Sequence, residues 1–260
     1  MKQLIFTLFT VSLFMISCTS QKKLTYLNNL PEPTGEEQFT MEIPDYKVQN
    51  RDILYITLKA INPEGMITDF LSGSGTGSTY MQSEGGGYLV GYNVNIDGTI
   101  ILPVLGPVHV EGMTIEEIRK LLQVEFDKSY KNAQVECKLL SFKFTVIGEV
   151  NAPGTYFNYN NYLTVLEAIG RAGSIGDFGR RDRILVVRPT EKGTRTYTLN
   201  LQDKEILSSE AYFLLPNDVV IVEPLNHKIF NMNLPTISFI LTSTLSALST
   251  ALLLINYLGK

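Results

Sequence analysis

Few side chains in this sequence stand at spacings that do chemistry. Glu116 and Glu117 are adjacent carboxylates, a pairing that acid–base catalysis uses. Both fall in the first turn of a predicted helix, where Thr114 and Glu117 form a capping box and negative charge meets the positive end of the helix dipole. Capping is the better account of them. His109 alternates with Val108 and Val110, and no second His, Cys pair or acidic cluster stands near it at metal-ligand spacing. The stretch 71–87 contains Gly73, Gly75, Gly77 and Gly85–Gly87 among Ser and Thr. A phosphate cradle needs a helix opening directly after it, and a strand, Tyr88–Ile96, is predicted there; a surface loop is expected instead. Arg180, Arg181 and Arg183 cluster with Asp177 and Asp182 in a predicted loop. That loop reads either as solvated or as a contact for an anionic polymer or a protein partner. Cys137 alternates with Val135 and Leu139, which places it on the apolar face of a strand as a small buried hydrophobe. No catalytic, metal or cofactor set emerges.

The remaining polar groups of interest are hydroxyls in the run Thr236–Leu258, TISFILTSTLSALSTALLLINYL, which carries no charge. As a helix it would rise about 30–35 Å, close to the apolar thickness of a bilayer. Ser238, Thr242, Ser246, Ser249 and Asn256 fall near one face, with most large aliphatics elsewhere. Such a stripe fits packing against copies of itself, or lining water, with lipid on the other side. A lone membrane tail and a buried core helix are the plainer alternatives. His227 and Lys228 stand just before the run, where polar and basic residues mark membrane interfaces.

The chain has 260 residues, enough for two domains, and a formal net charge of −4, which gives no reason to expect a nucleic-acid partner. Its start, a basic Met1-Lys2-Gln3 followed by apolar Leu4–Ile16, reads as a secretory signal over 1–17. Met15-Ile16-Ser17-Cys18 is similar to a bacterial lipobox, in which cleavage precedes Cys18 and that cysteine is acylated. An ordinary cleaved signal with a spare thiol is the alternative. Residues 18–44 are polar and carry Pro31, Pro33, Gly35 and Pro44, and read as an extended tether in which Tyr26-Leu27 docks locally.

Two β-rich domains are expected next. The first, 45–140, has the strand Ile53–Leu58, a turn at Asp97-Gly98, a helix over Thr114–Ser129 with the stripe Ile115, Ile118, Leu121, Leu122 and Phe126, and a closing strand Ala133–Leu140. The second, 141–225, opens on Phe144–Val150, turns at Asn151–Gly154, and has a helix capped by Thr164 and Glu167 and ended by Gly173. Strands Ile184–Val187, Tyr197–Leu201, Phe213–Leu215 and Val219–Val222 follow. The two domains echo each other: a capped helix occurs in both, and Asn50-Arg51-Asp52-Ile53 parallels Pro216-Asn217-Asp218-Val219, with an Asp before an apolar strand each time. The fold class is α+β, two small β-rich domains followed by a C-terminal membrane-spanning helix over 226–260.

Tyr46–Val48, Asp52–Ile56, Val94–Gly106 and Gly112–Thr114 closely resemble the polysaccharide biosynthesis/export domain of outer-membrane polysaccharide export lipoproteins. Val146–Tyr156, Leu163–Ile169, Ala172-Gly173 and Leu215–Val220 resemble the SLBB β-grasp domain of that family. The resemblance implies no enzyme. It implies a lipid-anchored channel subunit in the bacterial outer membrane, with its body in the periplasm. Copies of the chain would form a ring whose C-terminal helices build an α-helical pore, or only anchor it. An inner-membrane polysaccharide co-polymerase would hand over capsular or extracellular polysaccharide. A non-conducting ligand-binding or adaptor lipoprotein of the same envelope machinery is the rival reading.

Overall fold

The computed structural model describes residues 24–30, 38–39, 41–71, 88, 90–190 and 193–258; the side chains of residues 227, 229–232, 252–253 and 256 stand outside that set. Cys18 and almost all of the glycine-rich stretch 71–87 therefore lie outside the described residues.

The first sheet is organised around β1 (Ile53–Ile61). Its alternation turns Leu54, Ile56 and Leu58 to one face, all at most 1% exposed. One edge of β1 pairs antiparallel with β6 (Gln134–Leu139), Leu54 facing Leu139 and Lys59 facing Gln134. The other edge pairs with β2 (Ile67–Asp69) at one end and β3 (Tyr92–Asn93) at the other. A separate hairpin, β4 (Thr99–Leu102) and β5 (Gly106–His109), supplies Ile100 and Leu102 to the core. Helix α1 (Ile115–Asp127) lays Ile118, Leu122 and Phe126 on the same core. Each such fully buried side chain contributes about 1.5–3 kcal/mol. The expected capping box is present, and Arg119 ties back to Glu116 at 2.6 Å, so both carboxylates are occupied structurally.

The second sheet has the order β10 (Gly193–Leu199), β9 (Gly179–Thr190), β11 (Val219–Pro224), β7 (Lys143–Gly148), β8 (Gly154–Phe157), and only the β11–β7 pair is parallel. Helix α2 (Val165–Arg171), with its own capping box, packs Val165, Ala168 and Ile169 into the core with Phe144, Val146, Ile184, Val186, Val220 and Val222. Gly148 has φ of 95°, and a Cβ there would collide with the Val222 carbonyl, so this crossing of β7 and β11 requires glycine.

Three sequence expectations need correcting. The run Tyr88–Ile96 forms a strand only at Tyr92–Asn93, because Val94 turns inward and the chain already closes a turn through Asn95 and Thr99. Arg180, Arg181 and Arg183 sit on β9 rather than in a loop. Phe213–Leu215 forms a single bridge, Phe213 to Thr164, rather than a strand.

The internal echo is deeper than the sequence shows. Arg51 and Asn217 both take left-handed φ, 72° and 67°, and each is followed by a buried Asp. Asp52 accepts the Gln49 N–H at 2.9 Å, and Asp218 accepts the Leu215 N–H at 2.8 Å. Lys47 bridges the helix cap Thr114, and Phe213 bridges the helix cap Thr164. Val48 N–H donates to the Met113 carbonyl at 2.9 Å, and Leu214 N–H to the Leu163 carbonyl at 2.8 Å. One unit, an Asp-closed turn feeding a strand beside a capped helix, is thus built twice. In the first domain the turn precedes the helix along the chain; in the second it follows.

The two Asp residues differ in company. Asp52 accepts from the Tyr46 hydroxyl at 2.8 Å and from Ser141 Oγ at 2.8 Å, which locks the first domain to the start of the second. Burial, with the Asp52 carboxylate beside it, pushes the Tyr46 phenol well above its usual range. Asp218, fully buried, accepts Nη2 of Arg188 at 2.8 Å, and Arg188 also donates to the Phe213 carbonyl at 2.8 Å. Burial raises the Asp218 carboxyl despite that guanidinium. Asp218→Ala leaves Arg188 buried without its counter-charge and is expected to cost about 3–5 kcal/mol in denaturant unfolding. Asp52→Ala, which removes hydrogen bonds to a carboxylate but strands no cation, is expected to cost about 1.5–3 kcal/mol.

Candidate functional site

Helix α3 (Asn226–Leu258) begins earlier than the uncharged run and carries Pro235 within it. The stretch Asn233–Ala251 has a mean hydropathy of 1.3, and the other described residues cover none of it. Phe239, Leu241, Leu245, Leu248 and Ile255 stand more than half exposed. An uncovered apolar surface on this scale marks a place where something else packs.

Four hydroxyls of α3 bond to the helix itself. Ser238 Oγ donates to the Pro235 carbonyl at 2.9 Å, Thr242 to Ser238 at 2.8 Å, Thr244 to Leu241 at 2.9 Å and Thr250 to Ser246 at 2.8 Å. This back-bonding occupies their donors and lets them sit in an apolar medium. A shallow concave strip runs along Thr242, Ser243, Ser246, Ala247, Thr250 and Ala251. It takes in Thr242 and Ser246 of the expected face and is centred roughly a quarter turn round from it, at about 3.6 residues per turn. Ser238 and Ser249 fall to one side of the strip, and the Asn256 side chain lies outside the described residues.

The root of α3 is keyed to the second domain. Leu225 N–H donates to the Phe178 carbonyl at 2.7 Å, and Lys228 pairs with Glu149, next to the Gly148 crossing. The arginines nearby are already matched: Arg180 to Asp182 at 2.7 Å, and Arg183 to Glu223 at 3.5 Å. The hydrogen bond from Arg180 holds the Asp182 carboxyl below its usual range. The cluster therefore braces β9 against β11 rather than presenting bare positive charge.

Sequence reasoning missed where the N-terminal strap goes. Residues 24–30 lie against the second domain, not the first: Leu27 N–H donates to the Leu201 carbonyl and Asn28 N–H to the Gln202 carbonyl, both at 2.9 Å. The Tyr26 hydroxyl lies 3.2 Å from Ser174 Oγ, and the Arg181 guanidinium stands 5.7 Å from the centre of its ring. Arg181 also reaches the Ile175 and Gly179 carbonyls, so the strap meets the same side of the domain from which α3 departs. The polar, proline-bearing composition of the strap carries no sign of this, because its partners, Ser174, Arg181, Leu201, Gln202 and Asp203, lie 148 residues or more further along the chain.

His109 is exposed on β5, and no group of three potential metal ligands occurs among the described residues. Cys137 is buried between β1 and α1, as its alternation predicts.

Residues 41–140 match the family model described as polysaccharide biosynthesis/export protein, and residues 142–222 match the SLBB domain model. The chain carries a polysaccharide export domain followed by an SLBB domain. Among curated relatives, the EPS I polysaccharide export outer membrane protein EpsA of Ralstonia solanacearum is 27% identical over 199 residues, covering 74% of this chain and 52% of that protein. The protein of the same name from Ralstonia nicotianae is 34% identical over 131 residues, covering 48% of this chain and 33% of its own length. The chain thus spans about half of one relative and a third of the other.

In the export domain, burial pushes the Cys137 thiol up to about 12. The folded state prefers the neutral thiol, so this contribution to stability holds below an ordinary thiol value near 9 and is lost as pH rises from there toward 12. Iodoacetamide at pH 8 is expected to leave the Cys137 peptide unmodified in the native protein and to label it fully in denaturant, as read by mass spectrometry.

Proposed function

We propose that this protein is a subunit of an outer-membrane channel that exports capsular or extracellular polysaccharide. Its copies close into a ring, and one α3 from each crosses the bilayer as a stave of an α-helical barrel. The observation that carries this reading is the uncovered apolar span at 233–251, attached to an export domain and an SLBB domain. A helix satisfies its own backbone hydrogen bonds, so a bundle of helices is a legitimate way through lipid. Its small-residue strip allows close helix–helix approach, and the aliphatic remainder suits lipid. The names of the Ralstonia relatives, both outer membrane polysaccharide export proteins, support the compartment and the cargo.

The second sheet, with its parallel β11–β7 pair and the crossing helix α2, supports a β-grasp reading of the SLBB domain. Its task is to hold α3 at a fixed angle: the Lys228–Glu149 pair and the Leu225–Phe178 hydrogen bond set where the stave leaves the body. Acylation of Cys18 fits the same plan. The strap contacts at Tyr26 and Leu27 would hold a lipid near the root of α3, since the intervening residues span at most about 3.3–3.6 Å each. Transport on this plan is geometric, and the partner on the inner side is an inner-membrane polysaccharide co-polymerase.

Deletion of residues 230–260 is expected to abolish surface polysaccharide in cells while leaving a folded body that is still found in the envelope. Immunoblotting and staining of surface polysaccharide check this, and normal surface polysaccharide from the truncated protein would defeat the channel reading.

A further inference from the structure

A cleft of about 710 Å³ opens between the two domains, within the range typical of ligand sites. It runs along β6, which pairs with β1 on one edge and has no strand partner on the other among the described residues. Glu116, Arg119 and Gln123 of α1 flank it on one side. Opposite them, the loop between β8 and α2 contributes Tyr159, Asn160, Asn161 and Tyr162.

That loop is built rather than slack. Asn158 is 1% exposed, and its Nδ2 donates to the Asn160 carbonyl at 2.8 Å and the Tyr162 carbonyl at 3.3 Å. Its Oδ1 accepts from Arg171 Nη2 at 3.1 Å, and Arg171 Nη1 holds the Phe157 carbonyl at 2.9 Å. The Tyr162 ring stands edge-on to Phe213, 5.9 Å between centres at 88°. A buried amide and an arginine thus fix the loop, yet the two tyrosines it displays are 64% and 46% exposed. Behind the cleft, Thr57 is 3% exposed and its Oγ1 has no hydrogen-bond partner among the described residues. Satisfied interiors rarely leave such a hydroxyl alone.

We infer that this interdomain cleft binds a segment of the exported polysaccharide, with Tyr159 and Tyr162 as stacking platforms and Asn160 and Asn161 as hydrogen-bonding groups. This rests on the export reading and names a contact within it. Sugar rings present an apolar C–H face and a rim of hydroxyls that both donate and accept. Aromatic faces match the first and carboxamides the second. Opposite charges balance along the cleft, Asp45, Glu116 and Glu136 against Lys59, Arg119 and Lys138, and two of the pairs are in contact, Glu116 with Arg119 and Glu136 with Lys138, both at 2.6 Å. The cleft therefore selects by stacking and hydrogen bonding rather than by net charge.

The test uses the full chain in detergent and the extracellular polysaccharide purified from the host, with affinity electrophoresis for binding and light scattering for particle size. The double variant Tyr159→Ala, Tyr162→Ala is expected to bind about tenfold more weakly, while Tyr159→Phe, Tyr162→Phe keeps binding within about twofold, both at unchanged particle size. Two exposed side chains are altered, and the phenylalanine variant controls for folding. Unchanged binding by the alanine variant overturns the cleft. So does an alanine variant whose particle size shifts while the native chain binds no polysaccharide, because the cleft is then an interface between copies. Loss of the gene separates the two proposals. If surface polysaccharide disappears with the gene but the purified chain binds none, the cleft fails and the export reading stands. If surface polysaccharide persists without the gene, both fail.

Discussion

A helix that carries no charge after Lys228, and that the other described residues leave bare along its apolar stretch, sets the terms for the rest of this molecule. Water will not solvate a row of exposed leucines, isoleucines and phenylalanine at no cost; each large apolar side chain left out forgoes about 1.5–3 kcal/mol of burial. The described residues of the body do not fold back over α3, which is what supports the proposal that lipid, or other copies of α3, covers it. Four of the hydroxyls that interrupt the apolar run, Ser238, Thr242, Thr244 and Thr250, are turned onto the helix backbone, which makes them compatible with either surrounding. Everything upstream can then be understood as a means of presenting this helix in a fixed direction.

Rigidity at its root comes from close contacts rather than from bulk. Gly148 lets β7 pass the Val222 carbonyl, Glu149 meets Lys228, and the arginines of β9 are matched to carboxylates on β9 and β11. The repeated Asp-closed turn serves both domains in the same way. A left-handed residue aims the chain, a buried carboxylate closes the turn, and the strand enters beside a capped helix. Asp52 adds the Ser141 contact that fixes one domain against the other, and Tyr46 and Phe142 beside that junction line the cleft where Tyr159 and Tyr162 stand.

The sequence was most legible where one physical rule acts alone. The capping boxes at Thr114 and Thr164, the core stripe through Ile118, Leu122 and Phe126, and the burial of Cys137 all followed from local spacing. Tyr88–Ile96 misled because alternation there reflects a turn that tucks Val94 inward, not a ladder. The arginines on β9 looked like a loop because charged residues dominate a strand end whose partners are far away in sequence. The strap's docking place escaped notice because its partners stand far along the chain, as Asn29 with Asp203 and Tyr26 with Ser174 show, and local spacing is blind to them. The cleft was invisible for a related reason: Thr57, Arg119 and Tyr159 are brought together only by the packing of two domains.

The central claim is that α3 of each copy lines or builds a shared passage through the membrane. Imaging the full chain purified in mild detergent, by single-particle electron microscopy, tests it most directly. The account predicts a closed ring of identical subunits whose α3 helices gather into a barrel around a central opening. A solitary particle with α3 folded against its own body, or a ring whose helices splay outward around no opening, would contradict it.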